Sequence, residues 1–175
     1  MKKLLPGLGL MLSLILTGQA AAFDSSLNLA GGVGNQDSAT IDLYLKQTYS
    51  PWWSGERMEL RPFTTQGLTY WFHNSRSEEV AGVLLSFGLQ LSYAGDYFQP
   101  YVSVNAGPSL VSERRFVDRD LGGHFLFNTR AMLGVRFGQE YRHNLGFHAT
   151  HYSNAHLNDE NDGFNTLGLS YGYTF

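Results

Sequence analysis

The sequence has 175 residues, no cysteine, and 15 Asp and Glu against 12 Lys and Arg, which gives a formal net charge of -3 at pH 7. The acidic balance argues against a nucleic-acid-binding protein, for which a basic patch is expected. The lack of cysteine excludes disulfide bonds as a source of stability.

The N-terminus resembles a secretory signal peptide. Two lysines precede the apolar run "LLPGLGLMLSLIL", and the small residues of "GQAAAF" follow it. We therefore predict a cleaved signal peptide over residues 1–22 and a mature domain over residues 23–175. No later run reaches the roughly 18 apolar residues of a membrane-spanning helix. Because glycine and aromatic residues are also frequent, the exported chain is either a soluble β-domain or a transmembrane β-barrel.

Apolar and polar residues alternate through most of the mature chain, which is typical of β-strands. Segments rich in Gly, Asn, Asp and Ser separate the alternating stretches and predict turns. Most of the stretches are longer than the roughly 5–6 residues of strands in soluble sheets, and long enough to cross a bilayer. The predicted strands cover residues 26–34, 39–48, 57–72, 80–93, 99–111, 123–137, 144–154 and 164–175.

The last strand indicates which face of the sheet is inside. Leu167 and Leu169 begin an apolar row that ends at Phe175, whereas Gly168 and Ser170 belong to the opposite, small and polar row. A membrane barrel places the apolar row against lipid and the small polar row inside. We therefore predict an all-β fold, an eight-stranded antiparallel up-and-down transmembrane β-barrel in the bacterial outer membrane. A lipocalin-like carrier would need an apolar interior, and the small and polar row of Gly168 and Ser170 argues against one.

The seventh strand, "LGFHATHYSN", departs from the pattern of an inert lipid face. His151 and Ser153 continue the apolar row of Phe147 and Ala149, and the strand order places them at the outer leaflet. Ionisable groups that face a membrane are candidates for function. Histidine can activate a serine hydroxyl as a nucleophile, and a pair that faces lipid implies an ester in a lipid as substrate. The alternative is that both side chains merely sit at headgroup level.

The neighbouring strand offers partners for the pair. If residues 155–163 form the connection, Ser153 lies opposite Asn165 and His151 lies opposite Leu167. The amide oxygen of Asn165 could accept the second N–H of the imidazole, and Asn154 could offer side-chain or backbone donors to an oxyanion.

These residues carry a resemblance. "HYSNA" at 151–155, followed by "NDG" at 161–163, is similar to the active-site signature of the PagL-type lipid A 3-O-deacylases. The resemblance implies an eight-stranded outer-membrane barrel that hydrolyses the acyl ester at position 3 of lipid A in lipopolysaccharide. It further implies His151 as general base, Ser153 as nucleophile, Asn154 in the oxyanion hole, and Phe127 as an aromatic lining of the acyl groove.

The sequence departs from the family at the third member of the triad, where Asn165 stands in place of the glutamate of several members. A neutral amide can orient an imidazole but cannot stabilise an imidazolium by charge. Asn165 as a weaker orienting group is the favoured interpretation. The alternatives are low activity or a carboxylate from the nearby loop, which contains Asp159, Glu160 and Asp162.

Other features allow few further assignments. No histidine spacing indicates a metal site, and no cofactor is predicted. Two interpretations of a cluster of arginines are equally compatible with the sequence: binding of lipid A phosphates, and a solvated loop. The cluster consists of Arg114, Arg115 and Arg119. The expected partners are lipid A and the outer membrane, with a homodimer as a candidate assembly. The competing function is a non-catalytic structural or adhesive barrel.

Overall fold

The computed structural model describes residues 23–175, which form a closed antiparallel β-barrel. Each of the eight strands pairs with its neighbours in sequence, and β1 pairs with β8 to close the barrel. The predicted signal peptide lies outside the described residues. Within them no helix is long and apolar enough to cross a membrane. The barrel strands are β1 (Asp24–Gly34), β2 (Ser38–Thr48), β3 (Met58–His73), β4 (Glu79–Tyr93), β5 (Phe98–Val111), β6 (Phe125–Phe137), β7 (His143–Ser153) and β8 (Phe164–Thr174).

The predicted fold is confirmed, and each predicted strand is found with its ends shifted by two residues at most. The structure adds short elements that alternation cannot reveal. Trp53–Ser54 pairs with the start of β3, and Arg115–Phe116 pairs with Arg119–Asp120 as a small hairpin in the loop after β5. A single 3₁₀ turn, Gln139–Tyr141, joins β6 to β7.

The two faces of the barrel are those that alternation predicts. Outward apolar side chains are exposed, including Leu29 at 57% and Leu169 at 61%. The interior is mostly polar, as in other membrane barrels. The backbones of β1 and β8 approach closely at Gly168, where an added Cβ would lie 2.1 Å from the carbonyl oxygen of Gly31 on β1. This close approach explains the glycine in the inward row of β8.

A buried ion pair crosses the interior. Arg130 of β6 binds Asp42 of β2, and both side chains are almost fully buried. Thr69 Oγ1 donates to Asp42 Oδ1 at 2.6 Å, and Arg130 Nε donates to Thr150 Oγ1 at 2.8 Å. Buried charges are tolerated when they are paired and hydrogen-bonded in this way.

The two ends of the barrel differ. One end carries the start of β1 and the end of β8, and the longest connections among the described residues, 112–124 and 154–163, lie at the opposite end. Beneath those connections the interior changes from polar to apolar. Trp71 stacks on Phe164 with ring centroids 4.4 Å apart, and Tyr152 lies 4.7 Å from Trp71. The complete apolar cluster contains Trp71, Val80, Val111, Phe116, Leu121, Leu126, Tyr152 and Phe164.

Candidate active site

The candidate site lies at the end of β7, on the outer face of the barrel. His151 is exposed and Ser153 is partly exposed, whereas Tyr152 between them is buried in the apolar cluster. Side chains two residues apart on a strand point to the same side, with Cα atoms about 6.6–6.8 Å apart. The buried tyrosine thus fixes the backbone whose neighbouring positions present the histidine and the serine.

Asn165 of β8 lies directly beside His151. The two residues are partners in the β7–β8 ladder, and His151 Nδ1 lies 2.7 Å from Asn165 Oδ1. An amide oxygen can only accept a hydrogen bond, so Nδ1 carries the proton and Nε2 is left with its lone pair. His151 is thereby oriented with its basic nitrogen free. Within residues 23–175, no hydrogen bond joins His151 to Ser153.

The predicted register between β7 and β8 is wrong by two residues. The expectation placed Ser153 opposite Asn165, whereas the structure pairs His151 with Asn165 and Ala149 with Leu167. The β7–β8 ladder ends one residue before Ser153, which pairs only with β6. A shift of two residues preserves the face on which each side chain lies. Asn165 therefore remains outward and lies closer to the imidazole than expected.

Asn165 is itself held by a residue that the sequence pattern did not reveal. Asn35, in the turn between β1 and β2, accepts the backbone N–H of Asn165 on its Oδ1 at 2.7 Å. Its own N–H donates to the Asn165 carbonyl at 3.1 Å. The only signal was a turn segment, "GNQDS". Barrel closure is what brings that turn to β8.

Asn154 occupies a different place from the one expected of its side chain. The side chain is fully buried, and its Nδ2 donates to the carbonyl oxygens of Leu121 at 3.0 Å and Glu160 at 2.6 Å. Strand alternation turns the side chain of residue 154 inward, so of the two expected donors the backbone N–H is the one that remains a prediction for the oxyanion. The backbone N–H of Asn154 donates to Asn161 Oδ1 at 2.9 Å.

Phe127 lies on β6 opposite Ser153 and packs edge-to-face on Phe125 with centroids 5.2 Å apart. It flanks the serine. A shallow depression of about 540 Å³ runs along the outer face beside His151 and Asn165. Its lining residues are Val33, Gly34, Asn35, Thr129, Ala131, Ala149, Thr150, His151, Asn165, Thr166 and Leu167. The depression exists because small side chains face each other there, with Ala149 paired to Ala131.

A second apolar depression, of about 430 Å³, shares Ala131 and Ala149 with the first. It extends across β4, β5 and β6 and is bounded by Leu91, Leu133 and Phe147. The two alanines therefore lie where the depression beside the histidine meets a second apolar depression on the outer face.

The loop carboxylates proposed as alternatives to Asn165 have other surroundings. Asp162 accepts the backbone N–H of Asp120 at 2.7 Å, and Asp159 and Glu160 are exposed. None of the three forms an ion pair with His151 within the part of the chain that the structure describes.

The loop arginines are occupied by partners within the protein. Arg114 and Arg115 both bind Asp120. The backbone N–H of Gly122 and the Arg114 guanidinium lower the pKa of Asp120 to about 2. Arg119 donates to backbone carbonyls of the loop after β7.

Comparisons with known proteins identify the family of this chain. The profile of the family described as lipid A 3-O-deacylase (PagL) matches residues 38–174. The lipid A deacylase PagL of Pseudomonas aeruginosa is 33% identical over an alignment of 175 positions that covers 98% of this chain and 98% of the relative. The lipid A deacylase PagL of Bordetella bronchiseptica is 26% identical over 163 residues, covering 91% of this chain and 88% of the relative.

Solved structures give the same result. The crystal structure of the outer membrane enzyme PagL superposes with a TM-score of 0.77 at 27% identity, covering 85% of this chain and 98% of that one. Neisserial surface protein A, at 12% identity and a TM-score of 0.56, covers 90% of this chain and all of the other, and shares the barrel fold. The chain therefore belongs to the lipid A 3-O-deacylase (PagL) family and is an eight-stranded outer-membrane β-barrel.

Proposed function

We propose that this protein is a lipid A 3-O-deacylase in which Ser153 is the nucleophile, His151 the general base and Asn165 the group that orients the histidine. The observation that carries the proposal is the hydrogen bond of His151 Nδ1 to Asn165 on the lipid face, one i,i+2 step from Ser153. Family membership supports lipid A as the substrate.

The chemistry follows from these three side chains. Ser153 Oγ attacks the ester carbonyl carbon while His151 Nε2 takes the hydroxyl proton. The bond between the acyl carbon and the sugar oxygen then breaks, and the imidazolium returns the proton to the departing sugar oxygen. Water attacks the acyl-serine with the same histidine as base. This second step releases a 3-hydroxy fatty acid and regenerates Ser153.

The oxyanion of the tetrahedral intermediate needs a donor near Ser153. The backbone N–H of Asn154 directly follows the nucleophile and is bound to Asn161 Oδ1 in the free protein. We propose that the oxyanion replaces Asn161 as acceptor. A hydrogen bond already formed to a neutral amide is exchanged for one to an anion, which is the stronger of the two.

The depression beside His151 supports a substrate that arrives within the membrane. Ala131 and Ala149 leave room for an acyl chain along the outer face, and Phe127 covers the side nearest Ser153. We propose that the start of β1 and the end of β8 face the periplasm, so that the end of the barrel that carries His151 lies in the outer leaflet. The acyl chain then need not leave the bilayer for its ester to reach the serine.

The test is release of a 3-hydroxy fatty acid from lipid A, measured by mass spectrometry. We expect Ser153→Ala and His151→Ala each to abolish release while the barrel keeps its heat-dependent shift on gels. His143→Ala is the matched control, since His143 begins the same strand, on the same face, at the opposite end. Full activity in Ser153→Ala would disprove the nucleophile assignment.

An alkylphosphonate probe separates this function from a non-catalytic barrel. Covalent labelling of Ser153 in the parent protein, and its loss in His151→Ala, would support the enzyme. Absence of labelling would favour a structural or adhesive barrel. A homodimer remains a prediction, to be measured by light scattering in detergent.

A further inference from the structure

The loop that follows the nucleophile is held by the other long connection at this end of the barrel. Two hydrogen bonds join the loops: the backbone N–H of Asp162 donates to the Asp120 carbonyl at 3.1 Å, and the backbone N–H of Asp120 donates to the Asp162 side chain at Oδ2 at 2.7 Å. A third comes from Asn154, whose side chain reaches the Leu121 carbonyl. The loop of residues 154–163, which has no regular secondary structure, is thus tied to residues 120 and 121 by three hydrogen bonds.

Arg119 makes the contact nearest to the histidine. One of its terminal nitrogens, Nη1, donates to the carbonyl oxygens of Asp162 at 2.7 Å and Gly163 at 3.0 Å. Its Nε is buried and has no partner within the described residues. A charged donor shared by two neighbouring carbonyls fixes the position of the peptide between them.

Gly163 is where this contact reaches the catalytic base. Its φ is +64°, and a Cβ added there would lie 3.1 Å from His151 Cε1 and 3.8 Å from Nε2. Gly163 therefore lies beside Cε1, the ring carbon between the two nitrogens, and close to Nε2. Asn165 binds the neighbouring nitrogen, Nδ1. The imidazole is thus contacted at adjacent positions by these two residues.

The segment that carries Arg119 is anchored to the barrel. Phe116 and Leu121, on either side of it, are each 1% exposed. Phe116 packs on Trp71 and on Phe164, with centroids 5.9 and 5.3 Å apart. Phe164 immediately precedes Asn165. The same apolar cluster therefore supports Arg119, which binds the Gly163 carbonyl, and Asn165, which binds His151 Nδ1.

We propose that Arg119 is a positioning residue that keeps Gly163 against His151 and so holds Nε2 toward Ser153. The proposal rests on the function proposed above. It assigns this arginine to the orientation of the base. Binding of a substrate phosphate is the competing assignment, and the hydrogen bonds from Nη1 to two backbone carbonyls argue against it.

The test compares Arg119→Gln, Arg119→Lys and Gly163→Ala on two substrates, lipid A and a neutral short-chain ester. Loss of positioning lowers kcat on both, and we expect Arg119→Gln to lose about 10- to 100-fold with little change in KM. Arg119→Lys should recover part of the loss. Arg76→Gln is the matched control, because it removes the same charge from the same end, where Arg76 pairs with the exposed carboxylates of Asp118 and Glu78.

The double variant Arg119→Gln with Gly163→Ala adds a second measurement. Two changes that act through one contact should lower kcat by less than the product of their separate effects. The heat-dependent gel shift identifies any variant that fails to fold, and Arg119→Lys then provides the comparison.

Two results would overturn the proposal. Unchanged kcat in Arg119→Gln shows that the arginine does not position the base. A rise in KM for lipid A alone, with the neutral ester unaffected, shows phosphate binding instead. Ser153→Ala is measured in parallel. If that variant is active, the proposed function fails, whereas inactive Ser153→Ala beside fully active Arg119→Gln defeats only the present proposal.

Discussion

Replacing Asn165 with aspartate tests how the histidine is oriented and stabilised. Aspartate has the shape of asparagine, so an oxygen can remain 2.7 Å from His151 Nδ1 while a full negative charge is added. That charge stabilises the imidazolium that forms during attack. Asn165→Glu adds the same charge with one more methylene, so it also tests how closely the carboxylate must be placed.

The size of the effect follows from distance and exposure. Two unit charges about 4 Å apart attract by about 1 kcal/mol in water and about 4 kcal/mol at an effective dielectric constant of about 20. Both side chains are exposed on the outer face at the loop end of the barrel, which the proposed function places in the outer leaflet, so the value in water is the lower limit. We therefore expect Asn165→Asp to raise kcat at least about fivefold. Asn165→Ala removes one hydrogen bond of about 1 kcal/mol and should lower kcat by a similar factor.

The assay is the initial rate of 3-hydroxy fatty acid release from lipid A in detergent, with kcat and KM determined for each variant. We expect kcat to be highest in Asn165→Asp, intermediate in the parent protein and lowest in Asn165→Ala, with KM nearly constant. Equal activity in Asn165→Ala and the parent would show that residue 165 does not orient His151. An inactive Asn165→Asp beside an active Asn165→Ala would refute the charge argument.

Further predictions concern the groove, the barrel interior and the loops. Ala149→Leu should narrow the passage along the outer face and raise KM for long acyl esters more than for short ones, whereas Ala81→Leu, outward on β4, should change neither. Asp42→Asn leaves Arg130 buried without its counter-charge and should lower the free energy of unfolding by about 3–5 kcal/mol, measured by urea titration in detergent; an unchanged midpoint would contradict this. The pKa of Asp120 is lowered to about 2, so its contribution to the loop contacts is complete above about pH 4, the ordinary range of an aspartate, and is lost as the pH falls toward the lowered pKa. In the parent protein, cleavage of residues 112–124 by pepsin should become faster as the pH falls from about 4 to about 2. In Asp120→Asn, cleavage should be equally fast at both pH values.

Strand alternation alone determined the fold and the face on which each candidate residue lies. A period of two residues is a local property of the chain, so the outward placement of His151, Ser153 and Asn165 could be predicted from the sequence. The same rule places Asn154 inside, and a side-chain role at the oxyanion conflicted with it. The resemblance to the PagL family, carried by "HYSNA" and "NDG", was confirmed by the comparisons.

Tertiary structure decided what alternation leaves open. The register of β8 against β7 depends on how the loop between them closes, and it was predicted two residues away from where it lies. Asn35 reaches Asn165 only because the barrel closes β1 onto β8, and Arg119 reaches Gly163 only because two loops meet over the apolar cluster. These contacts join residues 44 or more positions apart in sequence. The turn and loop sequences that contain them carry no periodicity from which such a pairing could be inferred.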